Sequence, residues 1–261
     1  MSAFGDEVWS MATATPNDPA STGWAPRLGR WNIRLALAAL LVPAIGLTLA
    51  RNDVIGKLPG FSTLLAGGLM AVLALLLGIA ALIAGRKQAF AGKRTVIAAT
   101  VFALVFVGFF ASRPLTAGNA PLLHDITTDL ANPPQFEVLP LRADNLTGVG
   151  TIENWRQIHA AAYPQLGPIT LAKPVAAVTA DAVRLAEKTG WQVAASRPGH
   201  VEATASVSYI RFQDDVVIRI EPIGDGNQSR VDIRSVSRVG GGDLGVNARR
   251  IRDFLEQLAA L

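Results

Sequence analysis

Apolar and polar positions follow two different patterns along this chain. Three apolar runs, 33–50, 61–84 and 95–111, occupy the first part; Arg34 stands at the edge of the first, and the second contains no charged residue. A helix of about 20 apolar residues, within a range of roughly 17–25, crosses the hydrocarbon core of a bilayer, so each run is expected to be a transmembrane helix. No ionisable residue falls at mid-depth, which argues against a proton relay or an ion path. Gly67, Ala71, Ala74 and Gly78 form a small-residue stripe at helical spacing. Such a stripe lets helices approach closely, and packing within the chain is its simplest use.

Beyond residue 112 the periodicity changes. Pro114, Pro121, Pro133, Pro134 and Pro140 mark 112–150 as a tether. Residues 153–162 place Trp155, Ile158 and Ala162 on one helical face, and a short extended piece follows at 168–172. Pro174 suits the first turn of a helix running to 189, with Val175, Val178, Ala182, Leu185 and Ala186 inward and Gly190 as its stop. Strands are expected at 191–196, 201–207, 215–221 and 229–239, joined by hairpin turns at 197–200 and 224–227. A last helix over 243–260 has Leu244, Ala248, Ile251, Leu255 and Leu258 as its buried stripe. The predicted architecture is an α-helical membrane anchor of three transmembrane helices plus an α+β domain. In that domain an antiparallel four- to five-stranded sheet carries helices packed on one face. Residues 1–30, rich in Ser, Thr, Pro and Asn without apolar periodicity, are expected to be a disordered tail and no signal peptide. The expected divisions are therefore 1–30 tail, 31–111 membrane region, 112–150 tether and 151–261 soluble domain.

Charge refines this picture. The net charge of +4 invites a nucleic-acid reading, yet from residue 112 onward 15 Lys/Arg face 16 Asp/Glu. The surplus is 9 basic against 4 acidic residues around the apolar runs, which is a topology signal and not a phosphate-binding stripe. Arg27, Arg30 and Arg34 precede the first run, and Arg86, Lys87, Lys93 and Arg94 crowd the second loop. Only Arg51, Lys57 and Arg113 fall on the other side. The positive-inside rule then puts the N-terminus in the cytoplasm and the C-terminal domain on the non-cytoplasmic side. The absence of cysteine excludes disulfides, thiol nucleophiles and zinc–cysteine sites.

Candidate chemistry is sparse. Residues 240–245 satisfy G-x-G-x-x-G between a strand and a helix, but a dinucleotide site needs a second parallel strand with an acidic residue about 20 positions on. The sequence stops at Leu261, so what is left is a flexible turn closed by Asp243 as N-cap or, as the alternative, glycines that expose amide donors to an anion at a helix N-terminus. Alternation on the last strand puts Arg230, Asp232, Arg234, Val236 and Arg238 on one face. Arg219 on the preceding strand is expected to pair with Asp232. The bland reading is a solvated salt-bridge ladder, and the functional one is a polar face for an anionic headgroup or a partner's carboxylates. Asp214 and Asp215 suggest acid/base or metal chemistry, but neighbouring strand residues point to opposite faces. His124, His159 and His200 lack metal-ligand spacing, so no metal and no cofactor are called for.

Several stretches resemble the bacterial domain-of-unknown-function family 1499. They are Gly190-Trp191, the residues 201–205 (VEATA), 214–219 (DDVVIR) and 229–251 (SRVDIRSVSRVGGGDLGVNARRI), with an entry segment at 124–129 and Asn132-Pro133-Pro134. The resemblance covers roughly 120–261 and implies a membrane or envelope location without any established reaction. Gly242 stands before Asp243 where the family commonly has Ser, and the Cys that other members carry near the domain start is absent. The candidate binding residues are Arg219, Arg234, Arg238, Asp243 and Asn247, with Asp214, Asp215, Asp232 and Arg249 as further motif residues. The expected function is a non-enzymatic envelope module for a lipid-like ligand or a partner protein. The alternatives are a membrane-anchored hydrolase of an envelope component and a structural subunit of a membrane complex.

Overall fold

A computed structural model describes residues 23–87, 90–116 and 120–261. The chain forms two compact units. The first runs to Ala44 and resumes over Leu64–Ser112, and the second combines Ile45–Thr63 with Arg113–Leu261. Three helices, α1 (Trp24–Arg51), α2 (Lys57–Ala84) and α3 (Lys93–Thr116), come first, and each is long and apolar enough to cross a membrane. Helix α1 begins at Trp24, inside the stretch expected to be a tail, with Pro26 in its first turn, where a missing N–H breaks no helical bond. The rest of that stretch, 1–22, lies outside the described residues.

Within the first unit small side chains face inward and large ones outward. Ala36, Ala39, Ala71, Ala74 and Ala103 are buried, whereas Leu37, Leu41, Leu69, Leu76 and Leu104 are exposed. This inversion of a soluble bundle suits a lipid surround, where packing and not water exclusion holds helices together. A Cβ at Gly67 would meet Pro43 Cγ at 2.3 Å, and one at Gly78 would meet Thr100 Oγ1 at 2.0 Å, so the glycine stripe packs against the neighbouring helices. Asn32 adds a polar tie by donating to the carbonyl of Ala74 at 2.8 Å.

The second unit is built on a six-stranded antiparallel sheet ordered β1-β6-β5-β4-β3, with β2 also on the outer edge of β6. The strands are β1 (Asp125–Thr127), β2 (Ile169–Leu171), β3 (Gln192–Arg197), β4 (His200–Val207), β5 (Phe212–Ile223) and β6 (Gln228–Ser237). Helices α4 (Ile152–Ala162), α5 (Val175–Lys188) and α6 (Val246–Ala259) complete it. The sheet is one strand wider than expected because β1 lies within the stretch read as a tether, where three residues carry too little pattern to stand out. Alternation on the long strands turns Val201, Val216, Ile218, Ile220, Val231 and Ile233 toward Val178, Ala182, Leu185, Ile251, Phe254 and Leu258 in one core. Trp191 stacks on Phe254 with ring centroids 4.7 Å apart.

The predicted stripe of the last helix fails at its first member. Helix α6 starts at Val246, not at 243, and Leu244 is 59% exposed with φ +54°. The Asp243 carboxylate accepts from the amides of Gly245 and Asn247 at 2.8 and 2.6 Å, and Gly245 takes φ +76°. That turn satisfies the first amides of the helix but uses residues 243–245 outside it.

Candidate functional site

The opposite face of the sheet carries most of the polar chemistry. Glu202, Thr204, Asp215, Arg219, Asp232, Arg234 and Arg238 alternate outward from β4, β5 and β6. A salt-bridge ladder is present and is solvated only in part: Arg230 and Arg238 are half-exposed, whereas Glu202 and Asp232 are fully buried and Arg234 is 6% exposed. A strap formed by residues 129–145 roofs it. Three of its prolines, Pro133, Pro134 and Pro140, lack an N–H, so this segment cannot complete a strand ladder and leans on side chains instead.

Polar bonds to the sheet hold the strap along its length. The Asn132 carbonyl accepts from Arg219 at 3.1 Å and the Pro134 carbonyl from Arg234 at 3.2 Å. The amides of Glu137, Val138 and Leu139 then donate to the Glu202 carboxylate at 2.6, 3.0 and 2.7 Å, and His200 Nε2 lies 2.8 Å from the same carboxylate. Finally Arg142 donates to the carbonyls of Ser237 and Gly240 at 3.2 and 2.7 Å. Burial opposes ionisation of Glu202 more than any single contact favours it, yet the strap amides and His200 together outweigh burial. Its pKa therefore lies below the usual carboxylate value.

The sequence-predicted residues are all placed, though not in one site. Arg219 pairs with Asp232 at 3.1 Å, as expected, and with Asp129 at 2.9 Å. Arg234 grips Asp125 through two bonds of 2.9 and 2.6 Å. Arg238 takes Asp215 at 2.8 Å, Thr204 at 3.0 Å and Gln213 Oε1 at 2.7 Å. Asp214 and Asp215 fall on opposite faces, and Asp214 bonds Arg250 at 2.5 Å on the helix side. Asn247, fully buried on that side, accepts from Ser235 Oγ at 2.8 Å and from Arg250. It donates to the His124 carbonyl and Ser237 Oγ, both at 3.0 Å. It is a hub that ties α6 to β1 and β6. Burial raises the pKa of nearby Asp243, and Arg249 is exposed.

Reading the sequence by motif missed Glu202, Asp125, Arg142, Ser235 and Arg250. Glu202 had a signal, since it is the one acidic residue in a strand of small and β-branched side chains. Arg250 lies three positions after Asn247 and so on the same helical face. Nothing marked Arg142, whose bonds to the carbonyls of Ser237 and Gly240 span 95 and 98 residues of chain.

Between strap and sheet lies a cleft of about 440 Å³, lined by Phe136, Pro140, Leu141 and Val236 on its apolar side and by Arg142, Asp215, Ser237 and Arg238 on its polar side. A second cleft of about 380 Å³ shares Leu141, Arg142 and Ala143 and reaches Trp155 and Arg234. At the rim the partner of Arg142 is Asp144, whose side chain is 60% exposed, and the contact holds its pKa down to about 2. Among the described residues no group of three or more His, Asp or Glu is arranged to hold a metal ion.

His159 is a core residue. It is 1% exposed, and its Nε2 accepts from the amide of Thr127 at 3.1 Å. Burial pushes its pKa below the ordinary value of 6.5, against the pull of Asp125. The unfolded chain then binds a proton that the fold excludes, so the contribution is complete above 6.5 and fades as pH falls toward the lowered folded value. Thermal midpoints taken between pH 7.5 and 5.5 are expected to fall with acidification, and His159→Gln is expected to flatten that fall. An unchanged slope in the variant would assign the pH dependence to another group.

A search of curated proteins finds no match to this chain. The profile of the family described as "Protein of unknown function (DUF1499)" matches residues 125–258, which takes in the sheet, the strap, both clefts and all three helices α4–α6. The chain belongs to that family.

Proposed function

We propose that this protein is a non-enzymatic binding module of the bacterial envelope that holds a lipid-like amphiphile beside its membrane. The single observation that carries this reading is the two-sided cleft between strap and sheet. An acyl or isoprenoid-like segment fits Phe136, Pro140, Leu141 and Val236, and an anionic head meets Arg142 and Arg238. Both guanidinium groups already have partners, but exchangeable ones. An incoming phosphate or carboxylate takes the place of the exposed Asp144 on Arg142 and of neutral Gln213 on Arg238. The buried ions beneath stay paired throughout, which suits a rigid wall better than a reacting centre.

The location belongs to the same reading. The basic residues flanking the helices favour an inner-membrane protein with a cytoplasmic N-terminus and a periplasmic sheet domain. The test is native mass spectrometry of the full chain released from its membrane in mild detergent, followed by solvent extraction. A stoichiometric amphiphile bound to the protein is the expected result. A bare protein at every detergent strength would contradict the proposal and favour a partner protein.

A further inference from the structure

We propose that the end of the sheet bearing Leu122, Tyr209 and Leu244 is seated in the headgroup layer of the bilayer that this chain spans. This goes beyond the ligand reading, since it concerns a contact surface distinct from the cleft and survives if the cleft is empty.

Three loops meet at that end. Val207 pairs with Phe212, Asp214 with Ser237 and Asp125 with Val236, so the turn 208–211, the entry 120–124 and the loop 238–245 lie side by side. The Asp243 amide donates to the Leu123 carbonyl at 3.0 Å, and a Cβ at Gly242 would meet Leu122 at 3.1 Å. Here the domain exposes its apolar tips: Leu122 is 75% exposed, Leu244 59% and Tyr209 55%. Leu244 does so from a left-handed backbone conformation, which a branched side chain avoids unless something holds it there. The turns at the other end are polar, Arg197-Pro198-Gly199-His200 and Gly224-Asp225-Gly226-Asn227.

Two further observations name the bilayer as the occupant. The compact unit of the sheet includes Ile45–Thr63, the turn by which α1 passes into α2. Within it the Arg51 guanidinium lies 4.8 Å from the centre of the Tyr209 ring and donates to the Tyr209 carbonyl at 2.7 Å, and Phe61 meets Phe212 edge-on at 5.9 Å. A Tyr–Arg pair beside the ends of two apolar spans is what the polar–apolar boundary of a membrane selects. The chain itself also limits the distance. Helix α3 ends at Thr116, six residues before Leu122, a reach of roughly 20 Å at full extension.

The chain has no cysteine, so single spin labels can be introduced at Leu122→Cys, Leu244→Cys and, at the far end, Asp225→Cys. The full-length protein is placed in nanodiscs of phosphatidylethanolamine and phosphatidylglycerol, and power saturation compares collisions with oxygen and with a soluble nickel chelate. Labels at 122 and 244 are expected to be several-fold less accessible to nickel and more accessible to oxygen than the label at 225. Equal nickel access at the three positions would overturn the proposal. So would protection at 122 and 244 that disappears on dilution of the nanodiscs, since a second copy and not lipid would then cover this end. Because Leu122 lies outside every regular element, its label reads the depth even if Leu244→Cys perturbs the turn.

Discussion

Replacing Glu202 by alanine is expected to lower the stability of the sheet domain by about 3–5 kcal/mol, the range for removing one side of a buried charged network. The loss has a definite structure. Three consecutive strap amides and His200 converge on this carboxylate, and without it each loses its acceptor, at a cost of about 1–3 kcal/mol wherever water does not replace it. Glu202→Gln keeps one acceptor oxygen and is expected to fall between alanine and the parent. Urea unfolding of the full chain in detergent measures the first effect. Amide exchange at residues 137–139 measures the second, with protection falling in Glu202→Ala before the core strands change. Retained protection there would mean that the prolines, and not Glu202, hold the strap. Because the folded pKa of Glu202 is lowered, its contribution is present above the ordinary carboxylate value and is lost as pH falls through the folded one.

The second large effect concerns Arg234. Arg234→Met leaves the Asp125 carboxylate, 2% exposed, with only Asn145 at 2.5 Å and is expected to cost about 3–5 kcal/mol. The pair Arg234→Met with Asp125→Leu is expected to recover much of that loss, since a buried ion pair replaced by apolar groups of similar size is often neutral. A double-mutant cycle from unfolding midpoints measures the coupling. If the double variant were as unstable as the sum of the singles, the bond from Arg234 to the Pro134 carbonyl would matter more than the ion pair.

The three apolar helices were plain because each run is long and almost free of charge. The strands and α5 were plain because one buried face imposes its period on the sequence. Asp214 and Asp215 could be assigned to opposite faces from alternation alone, and in the structure they meet different partners, Arg250 and Arg238. The strap was not readable. Its backbone is satisfied by Arg219, Arg234 and Glu202, from 65 to 100 residues away along the chain at the contacts with Glu137 N, Asn132 O and Pro134 O, and no local period encodes such contacts. The polar face therefore looked like a solvated ladder, whereas Glu202, Asp232 and Arg234 are buried beneath main chain. The candidate cleft shares this fate, because half of its wall, from Phe136 to Ala143, belongs to the strap.

The central claim is that this cleft holds an amphiphile, and one comparison tests it most directly. Ala143 is exposed, lines both clefts, and makes none of the strap's polar bonds described above. Ala143→Trp is expected to fill the space and leave the buried ion pairs intact. Native mass spectra of the parent and of Ala143→Trp, both full-length and prepared identically, are predicted to differ by loss of the bound amphiphile, while the two proteins stripped of lipid share one unfolding midpoint. Equal occupancy in the two proteins would contradict the account, because the ligand would then sit elsewhere on the chain.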